Sequence, residues 1–133
     1  MKQLAAAFFM FIGGVLPVLA AEPATVTPAQ ADTWLAATPE VQVLDVRTRE
    51  EFASGHLDKA ILIPWTDKDF TDRADKGLDP RKPVLVYCHG GVRSAKAAAA
   101  LVQLGFTDVR DLAGGIFAWQ QTGKQIDKPA PKS

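Results

Sequence analysis

Val84-Leu-Val-Tyr87, followed without a break by Cys88-His-Gly-Gly-Val-Arg93-Ser94, decides the fold of this chain. The first four residues are apolar on both faces, which marks a strand buried on both sides and therefore a parallel sheet with helices over it. Gly90-Gly91 breaks the strand. From Arg93 to Leu104 an alanine-rich run with apolar residues on most sides reads as a tightly packed helix, capped by Gly105. A strand, a short glycine loop and a helix in that order place the loop beyond the carboxyl end of a strand, where open α/β sheets bind ligands.

The same grammar extends in both directions. Thr27-Pro28-Ala29-Gln30 is a capping box with proline in the first turn, opening a helix that runs to about Ala37 and stops before Pro39. Val41–Val46 reads as a buried strand. Thr48 and Glu51 form a second capping box for a short helix through Ala53 that ends near Gly55. Ala60–Ile63 is a short strand closed by Pro64. Trp65–Arg81 is charged and reads as an irregular surface segment with one helical turn. Thr107–Leu112 is a last strand, and Gly114-Gly115 turns the chain into a helix over Ile116–Gln121. The expected class is α/β, a mainly parallel sheet flanked by helices. Residues 27–123 make the domain, 21–26 a short tail before it, and 124–133 a flexible tail after it.

The first twenty residues read differently. Met1-Lys2, an uncharged run from Leu4 to Ala21, Pro17, and the small residues before Ala20 follow the order of a secretory signal peptide cut after Ala20, with Ala21 as the runner-up. The competing reading is an uncleaved membrane anchor, against which Gly13, Gly14 and Pro17 weigh. Cleavage implies an exported protein, periplasmic or secreted, without stable membrane association afterwards.

Composition narrows the function. Hydrophobic residues are 47% and charged residues 23% of 133, which suits one globular domain. Fifteen basic residues balance fifteen acidic ones, so there is no electrostatic footprint for nucleic acid. One cysteine excludes an intramolecular disulfide and a cysteine-rich zinc motif, and two histidines leave little for a metal site. A lone cysteine in an exported chain is either a small buried hydrophobe or a reactive thiol. The residues around Cys88 favour reactivity. Two glycines let successive N–H groups converge on an anion, the helix behind adds its positive end, and Arg93 adds a full charge. A thiol there should ionise readily.

The chain resembles the rhodanese (thiosulfate sulfurtransferase) family in its single-domain form. Leu44-Asp45-Val46-Arg47 with Glu51-Phe52 is similar to the family's first motif. Gly55-His56-Leu57 with Ala60 and Ile63-Pro64 is similar to its second. Cys88 through Ser94 is similar to its active loop, and Leu112-Ala-Gly114-Gly115 with Trp119 to its C-terminal motif. Lys59 stands before Ala60 where relatives usually carry glycine, a departure that bears on turn geometry.

The resemblance implies a mechanism. Cys88 takes the outer sulfur of a donor such as thiosulfate as a persulfide and passes it to a thiophilic acceptor, cyanide or a thiol. The backbone of His89, Gly90, Gly91, Val92 and Arg93 would cradle the persulfide. Arg93 would orient the donor's sulfonate, and Ser94 would bond near the thiolate or cap the helix. Asp45, Arg47 and His56 are implied as structural support, and His89 as either an added positive charge or a solvent-facing ring. No metal or organic cofactor is implied, and a monomer is the default. Related phosphatases and arsenate reductases resemble Cys-x5-Arg, whereas four residues separate Cys88 from Arg93 here. The remaining alternatives are a non-enzymatic binding module of the same fold and a thiol-redox or sulfide-handling protein. Trp34 and Trp119 are expected in the core, and Trp65 either there or at the pocket mouth.

Overall fold

Thr27 closes its capping box as its sequence demands: its side chain accepts from the Gln30 N–H, and the Gln30 side chain accepts from the Thr27 N–H at 2.9 Å. The structure, a computed structural model, describes residues 13–14 and 22–129. The expected signal segment and its cleavage site therefore fall outside the described residues, apart from Gly13 and Gly14, as do the last four residues of the tail.

Five strands and five helices alternate: β1 (Ala24–Val26), α1 (Pro28–Ala37), β2 (Gln42–Asp45), α2 (Arg49–Ser54), β3 (Ile61–Leu62), α3 (Phe70–Gly77), β4 (Val84–Tyr87), α4 (Val92–Gln103), β5 (Val109–Leu112) and α5 (Gly115–Gln121). The sheet order is β1-β5-β4-β2-β3, and every pairing is parallel. The class is α/β, and the sheet is parallel throughout rather than mainly so.

The strand β4 lies at its centre and is buried along its whole length, which is why its sequence is apolar on both faces. Val84 and Val86 pack with Leu44, Leu101 and Phe106 beneath α3 and α4. Leu85 and Tyr87 pack with Val43, Leu112, Ile116 and Trp119 beneath α1 and α5. The helix α4 turns Ser94, Ala97, Ala98 and Leu101 to the sheet at helical spacing, and small side chains there let the backbone approach closely. Trp119 is buried and Trp34 packs at the edge of the same cluster. Trp65 joins the α3 side, edge-on to Phe70 with ring centres 5.0 Å apart.

Three expectations need correction. Ala24–Val26 is a strand at the sheet edge, paired with residues 110–112 of β5, and not a tail. Residues 70–77 form a helix of two turns, held by burial of Phe70 and Ala74 although its Asp69 makes no side-chain cap. The C-terminal segment, expected to be free, is docked as far as Asp127. His56 and Asp127 exchange backbone hydrogen bonds of 2.9 and 2.7 Å, and the Trp119 indole N–H donates to the Gln125 carbonyl at 3.0 Å.

A buried polar network ties β2 and β4 to the α2–β3 connection. Arg47 donates to both oxygens of Asp45 and to the Gly55 carbonyl. The Tyr87 hydroxyl donates to Asp45 at 2.6 Å and accepts the Leu57 N–H at 3.0 Å. Burial first, then the Asp45 carboxylate, pushes the Tyr87 hydroxyl far above its ordinary value, so it stays a donor.

Candidate active site

Cys88 follows the last residue of β4, and α4 begins four residues later. Gly91, at φ 116°, is the residue whose left-handed backbone makes so short a turn possible. The turn brings its own N–H to 3.0 Å from Cys88 Sγ, and Ser94 Oγ lies 3.4 Å from the same sulfur. Burial pushes the thiol up. The Ser94 hydroxyl and the backbone N–H groups of Ser94, Gly91 and Gly90 outweigh it and hold the thiol below its ordinary value. Cys88 is only 1% exposed, so the sulfur sits at the floor of the loop and not on its rim.

The helix α5 holds the loop from the other side. The Ile116 N–H donates to the Cys88 carbonyl at 2.9 Å and the Phe117 N–H to the His89 carbonyl at 3.1 Å. These contacts require Gly115: at φ 61°, a Cβ there would stand 2.4 Å from both carbonyl oxygens. The C-terminal Gly-Gly pair thus serves the loop directly.

Arg93 does not reach freely into the site. Its guanidinium donates to both oxygens of Glu51 at 2.7 and 3.0 Å. Arg93 also faces Cys88, whose negative form adds to Glu51 in keeping the guanidinium charged. Arg93 carries the Glu51 carboxyl down to about 2, against the burial that would raise it. Glu51 also accepts from the Thr48 N–H. Sequence reasoning found only that second, capping role. The ion-pair role was missed because the partners lie 42 residues apart.

The other expected residues divide. Gly90, Gly91 and Ser94 gather around the sulfur. Val92 is 72% exposed, its side chain turned to solvent. His89 is exposed, its ring 5.8 Å from that of Phe117. Asp45 and Arg47 pair with each other in the buried network. His56 stacks on Phe52 with ring centres 3.7 Å apart, and its Nδ1 lies 2.9 Å from the Phe52 carbonyl. Beside the loop opens a cleft of about 300 Å³ lined in part by Glu51, Gly55, His89, Gln120 and Lys128.

Comparison with known proteins agrees with this geometry. The sequence profile of the rhodanese-like domain matches residues 27–122. The chain is 37% identical over 89 residues to thiosulfate sulfurtransferase 16, chloroplastic, of Arabidopsis thaliana, covering 60% of this chain and 74% of that protein. It is 43% identical over 82 residues to tRNA uridine(34) hydroxylase of Chlamydia trachomatis, covering 58% of this chain but only 25% of that longer protein. The rhodanese-like domain of the Alr3790 protein from Anabaena sp. superposes with a TM-score of 0.71 at 28% identity, over 84% of this chain and 88% of that one. The relatives thus include proteins named for sulfur transfer and one named for a different reaction. With a parallel five-stranded sheet, a four-residue loop from Cys88 to Arg93 and these likenesses, the chain belongs to the rhodanese-like domain family.

Proposed function

We propose that this protein is a sulfurtransferase that carries sulfane sulfur on Cys88. The observation that supports it best is the thiol at the floor of a short loop, with the Gly91 N–H directed at Sγ and Ser94 Oγ 3.4 Å from it. That arrangement favours a thiolate, and it favours equally the terminal anion of a persulfide. The thiolate attacks the outer sulfur of a donor such as thiosulfate. The bond from that sulfur to the sulfonate breaks, and sulfite leaves with the electron pair. Cys88 then holds a persulfide anion, and an acceptor, cyanide or a thiol, takes the outer sulfur and restores the thiolate. Charge balances in both steps, so neither needs a net proton. The route uses no metal or organic cofactor, and one chain supplies its residues.

Burial of the sulfur suits this chemistry, because a terminal sulfur atom is slim enough to pass between the loop amides to the thiolate. Arg93, already paired to Glu51, acts less as a free sulfonate clamp than as a fixed positive wall of the loop. The leader-like residues 1–20 support an exported setting, periplasmic or secreted.

The test is intact mass of the purified protein after brief exposure to thiosulfate, with Cys88→Ser alongside. The expected result is a gain of one sulfur on the native protein alone, released by cyanide. No gain, together with a Cys88 inert to alkylation, would overturn the reading in favour of a binding module. No gain with a reactive Cys88 would point to a different donor.

A further inference from the structure

Beyond α5 the chain continues as a strap, outside the residues 27–122 matched to the rhodanese-like domain. Residues 124–128 belong to no helix or strand, yet four hydrogen bonds fasten them. The Lys124 ammonium donates to Asp32 at 2.8 Å and the Trp119 indole N–H to the Gln125 carbonyl at 3.0 Å. The backbones of His56 and Asp127 exchange the other two, at 2.9 and 2.7 Å. Ile126 packs against the cluster that holds Leu57, Ile116 and Trp119. Gly55 makes room for the strap: a Cβ there would stand 2.8 Å from Ile126 Cδ1 and 3.4 Å from Lys128 Cγ. A segment fastened in this way has little freedom left to lose when a ligand meets it.

The strap carries Lys128 into the wall of the cleft beside the active loop, a cleft it shares with His89, the residue after the nucleophile. The charges there are unequal. Arg47 is held by Asp45, and Glu51 by Arg93. Lys128 makes no ion pair among the described residues, so the cleft keeps one uncompensated positive charge. The Ser54 hydroxyl is committed to the Glu51 carbonyl at 2.7 Å. The side chains of His89 and Gln120 are exposed and make no hydrogen bond among the described residues, which leaves their polar atoms available.

We propose that this cleft is a subsite for the sulfur acceptor, a small thiol that carries a carboxylate, and that Lys128 binds the carboxylate. Gln120 and the His89 ring meet its remaining polar groups, and its sulfur reaches across the His89 edge of the loop to the outer sulfur on Cys88. The step is R–S⁻ plus Cys–S–S⁻ to R–S–S⁻ plus Cys–S⁻. A bond forms between the acceptor sulfur and the outer sulfur, the S–S bond to Cys88 breaks, and its electron pair stays on Sγ. Two anions must meet in that step, which a positive charge beside the loop favours.

Size assigns the cleft to the acceptor and not to the donor. Its volume of about 300 Å³ matches the small end of ligand sites. At about 30 Å³ for each water it has room for about ten non-hydrogen atoms. A thiosulfate ion, two sulfurs and three oxygens, would leave half of it empty and would not span from Lys128 to the loop with its sulfur foremost. A carboxylate and a thiol joined by a short carbon chain fill it better and present opposite ends to the two places that need them.

The subsite rests on Cys88 being the sulfur carrier, but its test reads binding, with no sulfur moved. Backbone amide shifts of the reduced protein are followed by NMR as 3-mercaptopropionate, or the uncharged 2-mercaptoethanol, is added. The carboxylate thiol should shift the Gly55, His89 and Lys128 amides along a saturable curve that the uncharged thiol does not produce. Lys128→Gln should weaken that binding about fivefold, the size of one partly screened ion pair, and Lys128→Arg should retain it. Added salt should weaken binding to the native protein and leave the Gln variant unchanged. Lys128 is exposed, so neither substitution disturbs the contacts that fasten the strap. Equal binding of the two thiols, or a Gln variant that binds as the native protein does, would overturn the proposal. In persulfide-loaded protein, Lys128→Gln should slow discharge by 3-mercaptopropionate by the same factor and leave discharge by 2-mercaptoethanol unaltered; equal slowing with both would overturn it. Selective binding in a protein that takes no sulfur from thiosulfate would uphold the subsite and count against that donor alone. Sulfur uptake without selective binding would overturn the subsite and leave the transfer standing.

Discussion

Lys59 holds φ 61°, the one non-glycine residue with a positive φ among the described residues. The tight turn before Ala60 demands a left-handed residue, and family relatives usually place glycine just before that alanine. Here an exposed lysine takes the strained position, at a cost of the order of 1–3 kcal/mol. Lys59→Gly removes that strain but gives the unfolded chain more freedom to lose, about 0.4–1 kcal/mol. The expected outcome is a net gain of up to about 1 kcal/mol in urea unfolding with sulfur transfer unaltered. A lower urea midpoint would show that the lysine side chain matters to the turn.

Elements act on the active loop through their ends. The helix α4 supplies the amides at its start, and α5 supplies the two N–H groups that hold the Cys88 and His89 carbonyls. The approach of α5 depends on Gly115, where a Cβ would collide with backbone and not with a yielding side chain. Gly115→Ala should therefore cost about 2–4 kcal/mol, combining left-handed strain with overpacking, and should abolish Cys88 reactivity even where the protein still folds. Gly105→Ala is the control: its φ of 98° brings strain, but nothing lies within 4 Å of the new methyl. It should destabilise less and leave the thiol reactive. Thermal unfolding and alkylation rate, measured together, separate the two.

Across the whole molecule, the Glu51–Arg93 pair joins α2 to the start of α4 over the mouth of the sheet. Glu51 is held by Arg93 at about 2, below its ordinary 4.5, so the pair's contribution is present in full above 4.5 and is lost as pH falls toward 2. Both side chains are about 30% exposed, so solvent screening limits that contribution to about 1 kcal/mol. Glu51→Gln should cost about that much at neutral pH and should flatten the loss of stability through the acid window. For the proposed transfer from thiosulfate, it should also lower the KM, because the Arg93 charge is no longer balanced. A variant whose acid unfolding matches the native curve would exclude the pair as the cause.

The sequence by itself determined the order of strands and helices apart from β1 and α3, the two capping boxes, the doubly buried strand β4 and the four-residue loop after it. Each of these is encoded by residues within a few positions of one another: a Thr three before a Gln or Glu, four apolar residues in a row, two glycines before an alanine-rich helix. Tertiary structure alone decided the rest. The strand β1 exists because β5 offers it an edge, and α3 exists because Phe70 and Ala74 find a core. Glu51 meets Arg93 and Gly115 meets the Cys88 carbonyl because the sheet order sets β2, β4 and β5, and the helices that follow them, side by side. A short edge strand, a weakly capped helix and a carboxylate have no local periodicity to announce them. Their places follow from which surfaces are left to pair or to bury once the sheet has formed.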